Sequence, residues 1–213
     1  MVRVFVAHPP ARGPSGRLVL VRIVAGRFRG KRLAAPGAQG GGKAHLRPTS
    51  DRVREALLNA LEHGDYPPIA GARVLDLFAG TGALGFEALS RGAARAVFID
   101  DGPAARGLIR ENIEALGVIG QTKLWRRDAT RLGPCRGEPY NLVFVDPPYG
   151  KGMGEAALRS ALDGGWIAAG AVIVLEERAD VDIHPPGDLE LADRRTYGDT
   201  QILILRDARE DPV

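Results

Sequence analysis

The chain has 213 residues, a length that suits one α/β domain with an appendage, and 45% of them are hydrophobic, enough for one sizeable core. No apolar run reaches the roughly 18–20 residues of a membrane-spanning helix, and the first 20 residues lack the apolar stretch of a secretion signal. The single cysteine, Cys135, excludes an intrachain disulfide, and we expect a cytoplasmic protein without membrane attachment.

Basic charge is concentrated at the start of the chain. Residues 1–54 contain 12 Lys or Arg and one acid, whereas the remainder contains 17 basic and 25 acidic residues. A basic end on a mildly acidic body is typical of a surface that contacts nucleic-acid phosphates, although a solvated basic tail has the same composition. Because apolar residues alternate with the basic ones over 22–33, we expect part of this end to be folded.

The first third of the chain predicts an extension, an arm and a helix. Residues 1–21 are rich in proline and glycine without periodicity, which predicts disorder. Residues 22–35 predict a short strand or hairpin, followed by a flexible glycine-rich loop that makes this arm mobile. A helix over 52–61, capped by Thr49 or Ser50, carries an apolar stripe. The predicted division is an extension at 1–21, a basic arm and helix at 22–62, and the main domain at 63–213.

From residue 72 onward, strands and helices alternate. Strands are predicted at 73–78, 95–99, 122–126, 140–145 and 171–176, helices at 82–91, 103–116 and 154–163, and a short helix or loop at 129–136. This order predicts a doubly wound parallel sheet. The alternation of strands and helices ends in the C-terminal part of the chain, where two further strands around residues 189–195 and 201–206 predict an antiparallel hairpin.

A glycine-rich loop follows the first predicted strand of this sheet. Its glycines permit a tight turn and a close approach of ligand to backbone, and the next helix offers free N–H groups at its N-terminus. The loop residues that we expect to bind a cofactor are Phe78, Ala79, Gly80, Thr81 and Gly82. Because Gly80, Gly82 and Gly85 also fit the dinucleotide pattern GxGxxG, the loop alone does not exclude NAD.

Three aspartates lie at the ends of three successive predicted strands. Asp76 is placed to reach the charged amino-acid end of S-adenosylmethionine, whereas it would repel a pyrophosphate. Asp100 is placed for ribose hydroxyls, which suits NAD equally well, and Asp128 with Ala129 is placed for an adenine amino group. Ligands bind at this edge of such sheets, so the three acids together favour S-adenosylmethionine as the cofactor.

A fourth strand delivers the tetrapeptide Asp146-Pro147-Pro148-Tyr149 to the same edge. Its two prolines remove N–H donors and keep the backbone carbonyls available as acceptors. A base amino nitrogen is a poor nucleophile, and acceptors on Asp146 and Pro147 would bind its hydrogens and orient its lone pair. Tyr149 can stack on a flipped base. The tetrapeptide predicts methylation of an exocyclic amino group, but it separates neither guanine from adenine nor RNA from DNA.

Other chemistries find less support in the sequence. Carbon methylation of cytosine needs a cysteine nucleophile, but Cys135 precedes the predicted catalytic strand and is interpreted as an incidental loop residue. The four histidines show no metal-like spacing, so no metal is expected. An oxidoreductase would need hydride-transfer residues, for which we find no candidates.

Four segments together indicate a protein family far more specifically than any one of them does. They are RIVAG to GKRL over 22–33, LRPTSDRVREAL over 46–57, the loop at 76–82 and the tetrapeptide. With them the chain resembles, over about residues 22–206, the RsmD family of bacterial enzymes that methylate the N2 amino group of a guanine in 16S ribosomal RNA. The resemblance implies a Rossmann-like class I S-adenosylmethionine-dependent methyltransferase, with a mostly parallel seven-stranded sheet, a C-terminal antiparallel hairpin and a small basic N-terminal arm. It also implies 16S rRNA as partner, within a small ribosomal subunit or an assembly intermediate. A monomer is the default expectation.

The predicted RNA-binding residues form two groups. Basic side chains of the arm are expected to contact phosphates, namely Arg27, Arg29, Lys31 and Arg32. The resemblance adds Arg47, Thr49 and Arg52, because this region of the family lies close to the cofactor and the substrate entrance. Two features depart from the family: residues 1–20 precede its usual start, and its second-strand acid, often glutamate, is here Asp100.

Two alternatives stay open at this point. A DNA adenine-N6 methyltransferase would use the same tetrapeptide, but a small basic arm lacks the means to read a duplex major groove, which favours RNA. A non-catalytic RNA-binding assembly factor could keep the same fold, but the intact Asp146 and Tyr149 argue against this role.

Overall fold

The N-terminal segment is a small antiparallel ribbon followed by a helix. The computed structural model of the chain describes residues 21–36 and 51–209. Strand β1 (Val21–Arg22) pairs with β2 (Arg32–Leu33) around a 3-10 turn at Gly26–Phe28, and helix α1 spans Asp51–His63. The predicted hairpin is therefore confirmed. Residues 1–20, the glycine-rich segment at 37–42 that follows the arm, and the candidate caps Thr49 and Ser50 lie outside the described residues. Val21, assigned to the extension, is instead buried and paired with Leu33.

A seven-stranded sheet forms the centre of the fold. Its strands are β3 (Arg73–Leu77), β4 (Arg95–Ile99), β5 (Thr122–Trp125), β6 (Tyr140–Val145), β7 (Ile167–Arg178), β8 (Leu189–Tyr197) and β9 (Thr200–Asp207). Their order across the sheet is β5-β4-β3-β6-β7-β9-β8, and the first five are parallel. Strand β9 runs antiparallel between β7 and β8. The predicted mostly parallel sheet with a C-terminal antiparallel hairpin is confirmed.

Strand β7 is longer than the sequence predicts. The expected strand covered 171–176, whereas β7 begins at Ile167, which pairs with Tyr140, and ends at Arg178, which pairs with Thr200. A shift in register between the Tyr140 and Leu142 pairs accommodates Gly170, whose φ is 65°. Pairing with a neighbour on each side extends the strand through glycine and charged residues that predict a strand poorly.

Three helices complete the α/β pattern: α2 (Ala83–Ser90), α3 (Pro103–Leu116) and α4 (Met153–Asp163). Helix α3 begins with a proline, whose missing N–H costs nothing in the first turn, and ends at Gly117 in the left-handed conformation. The predicted short element after β5 is a 3-10 turn at Ala129–Arg131. Within the described ranges, no helix is long and apolar enough to cross a membrane.

The two faces of the sheet bury separate apolar cores, because successive strand residues point to opposite sides. Val74 faces the core that contains α1, α2, α3 and the apolar residues of the arm, among them Ile23 and Leu33. Leu75 faces the other core, which contains α4 and Trp166. The arm and α1 therefore share a core with the sheet, and the expected apolar stripe of α1 supplies Leu57, Leu58 and Leu61 to it.

A fully buried carboxylate fixes the arm to α2. Glu87 accepts hydrogen bonds from the amides of Val24 and Ala25, both at 2.9 Å. The same carboxylate lies 3.7 Å from Nε of Arg54, which is also fully buried, and 3.4 Å from Nε of Arg91. A buried charge is tolerated only when it is paired and hydrogen-bonded, so these contacts depend on one another.

Replacement of Glu87 by alanine should lower the free energy of unfolding by about 3–5 kcal/mol, because it leaves two amides without their acceptor and removes one of the carboxylates that pair with buried Arg54 and with Arg91. The measurement is urea denaturation of the purified protein. Glu114→Ala, on the exposed face of α3, is the matched control and should change stability by less than about 0.5 kcal/mol. Equal effects of the two variants would contradict the proposed role of Glu87.

Candidate active site

The carboxyl ends of β3 and β6 lie side by side at a topological switch point. From β3 the chain moves outward through α2 to β4 and through α3 to β5, and then returns to β6 on the other side of β3. Such a reversal opens a crevice that binds ligands in α/β sheets. The amide of Asp146 donates to the carbonyl of Leu77 at 3.4 Å, so the tetrapeptide begins directly beside the glycine-rich loop.

The predicted loop residues form one tight turn at the end of β3. Gly80 and Gly82 have φ values of 57° and 76°, in the left-handed region that favours glycine. Phe78 also has a φ of 57°, which is uncommon for an aromatic residue and is a strained conformation typical of functional turns. The amide of Gly82 closes the turn on the carbonyl of Ala79 at 2.7 Å. The structure therefore brings together all five residues from 78 to 82.

Asp100 ties this turn to the end of β4. One oxygen of its carboxylate accepts from the amide of Gly80 at 2.9 Å, and the other accepts from the amide of Gly102 at 2.8 Å. Burial raises the pKa of Asp100, and the two amide hydrogen bonds oppose that rise. The carboxylate lies at the predicted edge, and both of its oxygens also hold backbone in place.

Asp76 is buried beneath the first turn of α2. Its side chain is 2% exposed and accepts from the amide of Gly85 at 3.0 Å. A β-carbon at Gly85 would lie 2.4 Å from the Phe98 ring, so only glycine lets α2 approach the strand this closely. Burial raises the pKa of Asp76 to about 8, opposed by the Gly85 hydrogen bond and reinforced by the charge of Asp100. A cationic ligand beside Asp76 would favour its ionised form.

Asp128 follows β5 at the same edge and begins the 3-10 turn. Its Oδ1 accepts from the amide of Thr130 at 2.9 Å and from the Thr130 hydroxyl at 2.7 Å. These hydrogen bonds, the hydroxyl first, lower the pKa of Asp128, and the carboxylate is solvent-exposed. Its neighbour Ala129 is buried in the α4-side core. An exposed, ionised acceptor is therefore present where the sequence predicts an adenine contact.

The tetrapeptide turns away from the sheet immediately after β6. Asp146 and Tyr149 are half-buried, Pro147 is buried and Pro148 is exposed. The hydroxyl of Tyr149 donates to Glu176 of β7, and the amide of Gly150 donates to Glu177 at 2.9 Å. These contacts hold both the ring and the backbone that follows it.

Glu176 and Glu177 were missed by the sequence interpretation. Burial, and then the charge of Glu176, raise the pKa of Tyr149, so its hydroxyl stays protonated and donates. Glu177 is buried, and its Oε1 also accepts from the amide of Arg178 at 2.8 Å. Two adjacent acids at the end of an apolar strand were the available signal, because such residues seldom lie buried without a specific partner.

Asn112 of α3 is a second residue that the sequence interpretation missed. Its Nδ2 donates to the carbonyl of Thr81 at 3.0 Å and to that of Ala34 at 3.3 Å, while its Oδ1 accepts from the amide of Ala34 at 2.6 Å. The side chain is buried. One asparagine therefore connects the end of the arm with the glycine-rich loop.

Arg27, one of the predicted RNA-binding residues of the arm, lies away from this crevice. Arg27 donates to the side chain of Gln121, which precedes β5 and donates to the carbonyl of Ala94 ahead of β4. Arg27 therefore lies at the amino edge of the sheet, about 13–17 Å along the strands from the edge that carries the tetrapeptide. The exposed members of the predicted set are Arg27, Arg29, Lys31, Arg32 and Arg52, whereas Arg47 and Thr49 lie outside the described residues.

The titration of Asp76 predicts a pH-dependent stability of the protein without ligand. Its pKa is higher in the folded state than in the unfolded chain. The contribution of Asp76 to the free energy of unfolding is therefore fully present below about pH 4 and is lost as the pH rises towards about 8. The slope for this group is about 1.4 kcal/mol per pH unit. Asp76→Asn removes this ionisable group and its pH dependence. The variant should therefore gain stability relative to the wild type as the pH rises from 5 to 8, measured by urea unfolding. Exposed Asp163→Asn is the control, and parallel curves for Asp76→Asn and the wild type would contradict the prediction.

Sequence comparison places the chain among known methyltransferases. The family described as "Conserved hypothetical protein 95" matches residues 21–206. "Ribosomal RNA small subunit methyltransferase D" of Escherichia coli is 40% identical over 160 residues, which cover 75% of this chain and 76% of that protein. The protein of the same name from Haemophilus influenzae is 33% identical over 186 residues, covering 84% and 89% of the two chains.

Solved structures agree with this placement. A putative methyltransferase from Escherichia coli superposes with a TM-score of 0.74 at 34% identity, covering 90% of this chain and 99% of that one. A putative methylase from Haemophilus influenzae also gives a TM-score of 0.74, at 27% identity, with coverage of 89% and 99%. The match extends from the arm to the C-terminal hairpin and includes both the glycine-rich loop and the tetrapeptide. The chain belongs to the RsmD family of methyltransferases.

Proposed function

We propose that this chain transfers a methyl group from S-adenosylmethionine to the N2 amino group of a guanine in small-subunit ribosomal RNA. The observation that carries the proposal is the contact between the end of β3 and the start of the tetrapeptide, where the Asp146 amide reaches the Leu77 carbonyl. A methyl donor held by the loop and a base held by the tetrapeptide would meet in one crevice. The RNA class is the one named for the relatives from Escherichia coli and Haemophilus influenzae.

The residues at this crevice fit S-adenosylmethionine, which supplies a methyl group on a positively charged sulfur. The turn at 78–82 presents backbone that a ligand can approach closely, because two of its residues lack a side chain. Asp76 supplies a buried carboxylate whose raised pKa a nearby cation would lower. Asp100 and Asp128 supply acceptors at the ends of the next two strands, for the ribose and adenine groups.

The tetrapeptide supplies the groups that would hold the amino nitrogen. The half-buried carboxylate of Asp146 and the carbonyl of Pro147 are acceptors for the two amino hydrogens, and together they would orient the nitrogen lone pair. As the nitrogen gains the methyl group, it releases one proton, for which Asp146 is an acceptor. The hydroxyl of Tyr149 is held by Glu176, so the ring has a fixed position in which a flipped base would stack on it.

The wider setting of the activity is part of the same proposal. We propose that residues 63–213 form the methyltransferase domain and that the basic arm and helix at 22–62 contact RNA. The substrate would be 16S rRNA in a small ribosomal subunit or an assembly intermediate, methylated in the cytoplasm by a monomer.

Asp146→Asn should lower kcat by a factor of about 10²–10³, because an amide replaces the carboxyl group that would accept from the reacting nitrogen. Affinity for S-adenosylmethionine should change little, which isothermal titration calorimetry measures alongside turnover. Asp182→Asn, at an exposed position outside the crevice, is the matched control and should leave turnover unchanged. Normal turnover of Asp146→Asn would refute the proposed chemistry.

Incubation with labelled S-adenosylmethionine tests the substrate directly. Naked small-subunit rRNA, small ribosomal subunits and duplex DNA are offered in parallel, and the labelled nucleosides are identified by mass spectrometry. We expect N2-methylguanosine from an RNA sample and no label in DNA. N6-methyladenine in DNA would overturn the proposal, and no label in any sample would refute methyl transfer to nucleic acid.

A further inference from the structure

A second concentration of basic residues lies inside the otherwise acidic body. The basic strip consists of Lys123, Arg126, Arg127, Arg131 and Arg136. Residues 123–136 contain these five cations and one acid, whereas the rest of the chain beyond residue 54 contains 12 basic and 24 acidic residues. The charge of the strip is therefore opposite in sign to that of the surrounding domain.

The five side chains are all exposed. Lys123 lies in the edge strand β5, and Arg126, Arg127 and Arg131 lie in the segment that follows its carboxyl end. Arg136 lies where this segment has returned towards the amino edge of the sheet, because the amide of its neighbour Cys135 donates to the carbonyl of Gly164 ahead of β7. Within residues 21–36 and 51–209, no carboxylate approaches any of them within 4 Å. The domain has twice as many acids as bases elsewhere, so the lack of ion pairs here is not explained by a shortage of acids. Like charges held together without partners repel one another, and a polyanion would relieve this repulsion.

Arg127 is held in position before any ligand binds. Its guanidinium donates to the carbonyl of Leu132 and lies 5.2 Å from the centre of the Trp125 ring and 5.7 Å from that of Trp166. An arginine has five N–H donors, so this contact fixes the group and leaves donors for an oxyanion. A cation that is already held in position loses less conformational entropy when a phosphate binds than a cation on a flexible side chain does.

The strip reaches the same edge of the sheet as the tetrapeptide. Arg126 and Arg127 follow the carboxyl end of β5, and β5 lies three strands from β6 in the sheet order. At about 4.8 Å per strand, this separation is roughly 14 Å. Arg27 of the arm, in contrast, contacts Gln121 at the amino edge. The strip is therefore better placed than Arg27 to contact phosphates close to the methylated base.

We infer that the basic strip binds the phosphate backbone of the RNA substrate on the β5 side of the crevice. This inference rests on the proposed function and adds a contact surface to the arm. The partner is a nucleic-acid backbone because the strip offers several exposed cations that no described carboxylate pairs with, spread along the β5 side of the sheet and not gathered around one small anion.

The test is the triple variant Arg126→Gln, Arg131→Gln and Arg136→Gln, which retains Arg127 because of its packing. Binding to a small-subunit rRNA transcript is measured by filter binding at several KCl concentrations. Each lost phosphate contact lowers the slope of log K against log salt by about 0.7–0.9, so the slope should fall by about 2–3. A fourfold rise in salt should then weaken binding roughly twenty- to forty-fold less than in the wild type.

The matched control is Arg110→Gln, Arg159→Gln and Arg194→Gln, which removes the same charge from three exposed positions outside the strip. This variant should keep the wild-type slope, and a variant with lysine at 126, 131 and 136 should restore it. An unchanged slope in the first triple variant, or an equal loss in the control, would overturn the inference. Failure of the wild type to methylate RNA would instead refute the proposed function, and calorimetric affinity for S-adenosylmethionine should be the same in all variants.

Discussion

The parallel pairing of β3 with β6 is the interaction on which the site depends. It matches Leu77 with Val145, and one further hydrogen bond joins the amide of Asp146 to Leu77. These two strands are separated by two helices and two other strands along the chain, and only their pairing brings the glycine-rich loop beside the tetrapeptide. The strands themselves are buried on both faces, as expected when helices cover both sides of a parallel sheet. The chemistry therefore rests on a rigid part of the core.

Acidic side chains hold the irregular backbone around this pairing. Glu87 accepts from two amides of the arm, and Asp100 accepts from one amide of the glycine-rich loop and one amide after β4. Glu177 accepts from the amides of Gly150 and Arg178. In each case a carboxylate accepts from backbone N–H groups in or next to a loop, which gives these donors a partner within the protein. The arm, the cofactor loop and the loop after the tetrapeptide are each fixed by this device.

Electrostatics divide the surface into an acidic body and two basic regions. The arm supplies one region, with Arg27 anchored at the amino edge, and the strip along β5 supplies the other. Arg27 lies at the amino edge of the sheet, whereas Arg126 and Arg127 follow the carboxyl end of β5, so an RNA bound to both regions would contact more of the domain than the crevice alone. Total charge does not reveal this division, because the acids of the body nearly cancel the bases.

The sequence by itself determined the order and type of the elements, the turn at Gly80 and Gly82, and the tetrapeptide, because hydrophobic period, glycine conformation and proline geometry are local properties. It also placed Asp76, Asp100 and Asp128 at or near the carboxyl ends of three successive strands, since parallel strands share one carboxyl edge. Only the tertiary structure decided that Asp100 also fixes backbone, that Glu176 fixes Tyr149, and that Asn112 joins the arm to the loop. It alone also decided which edge each basic group occupies. These facts depend on contacts between residues far apart in the chain, whose partners are set by packing and not by local pattern.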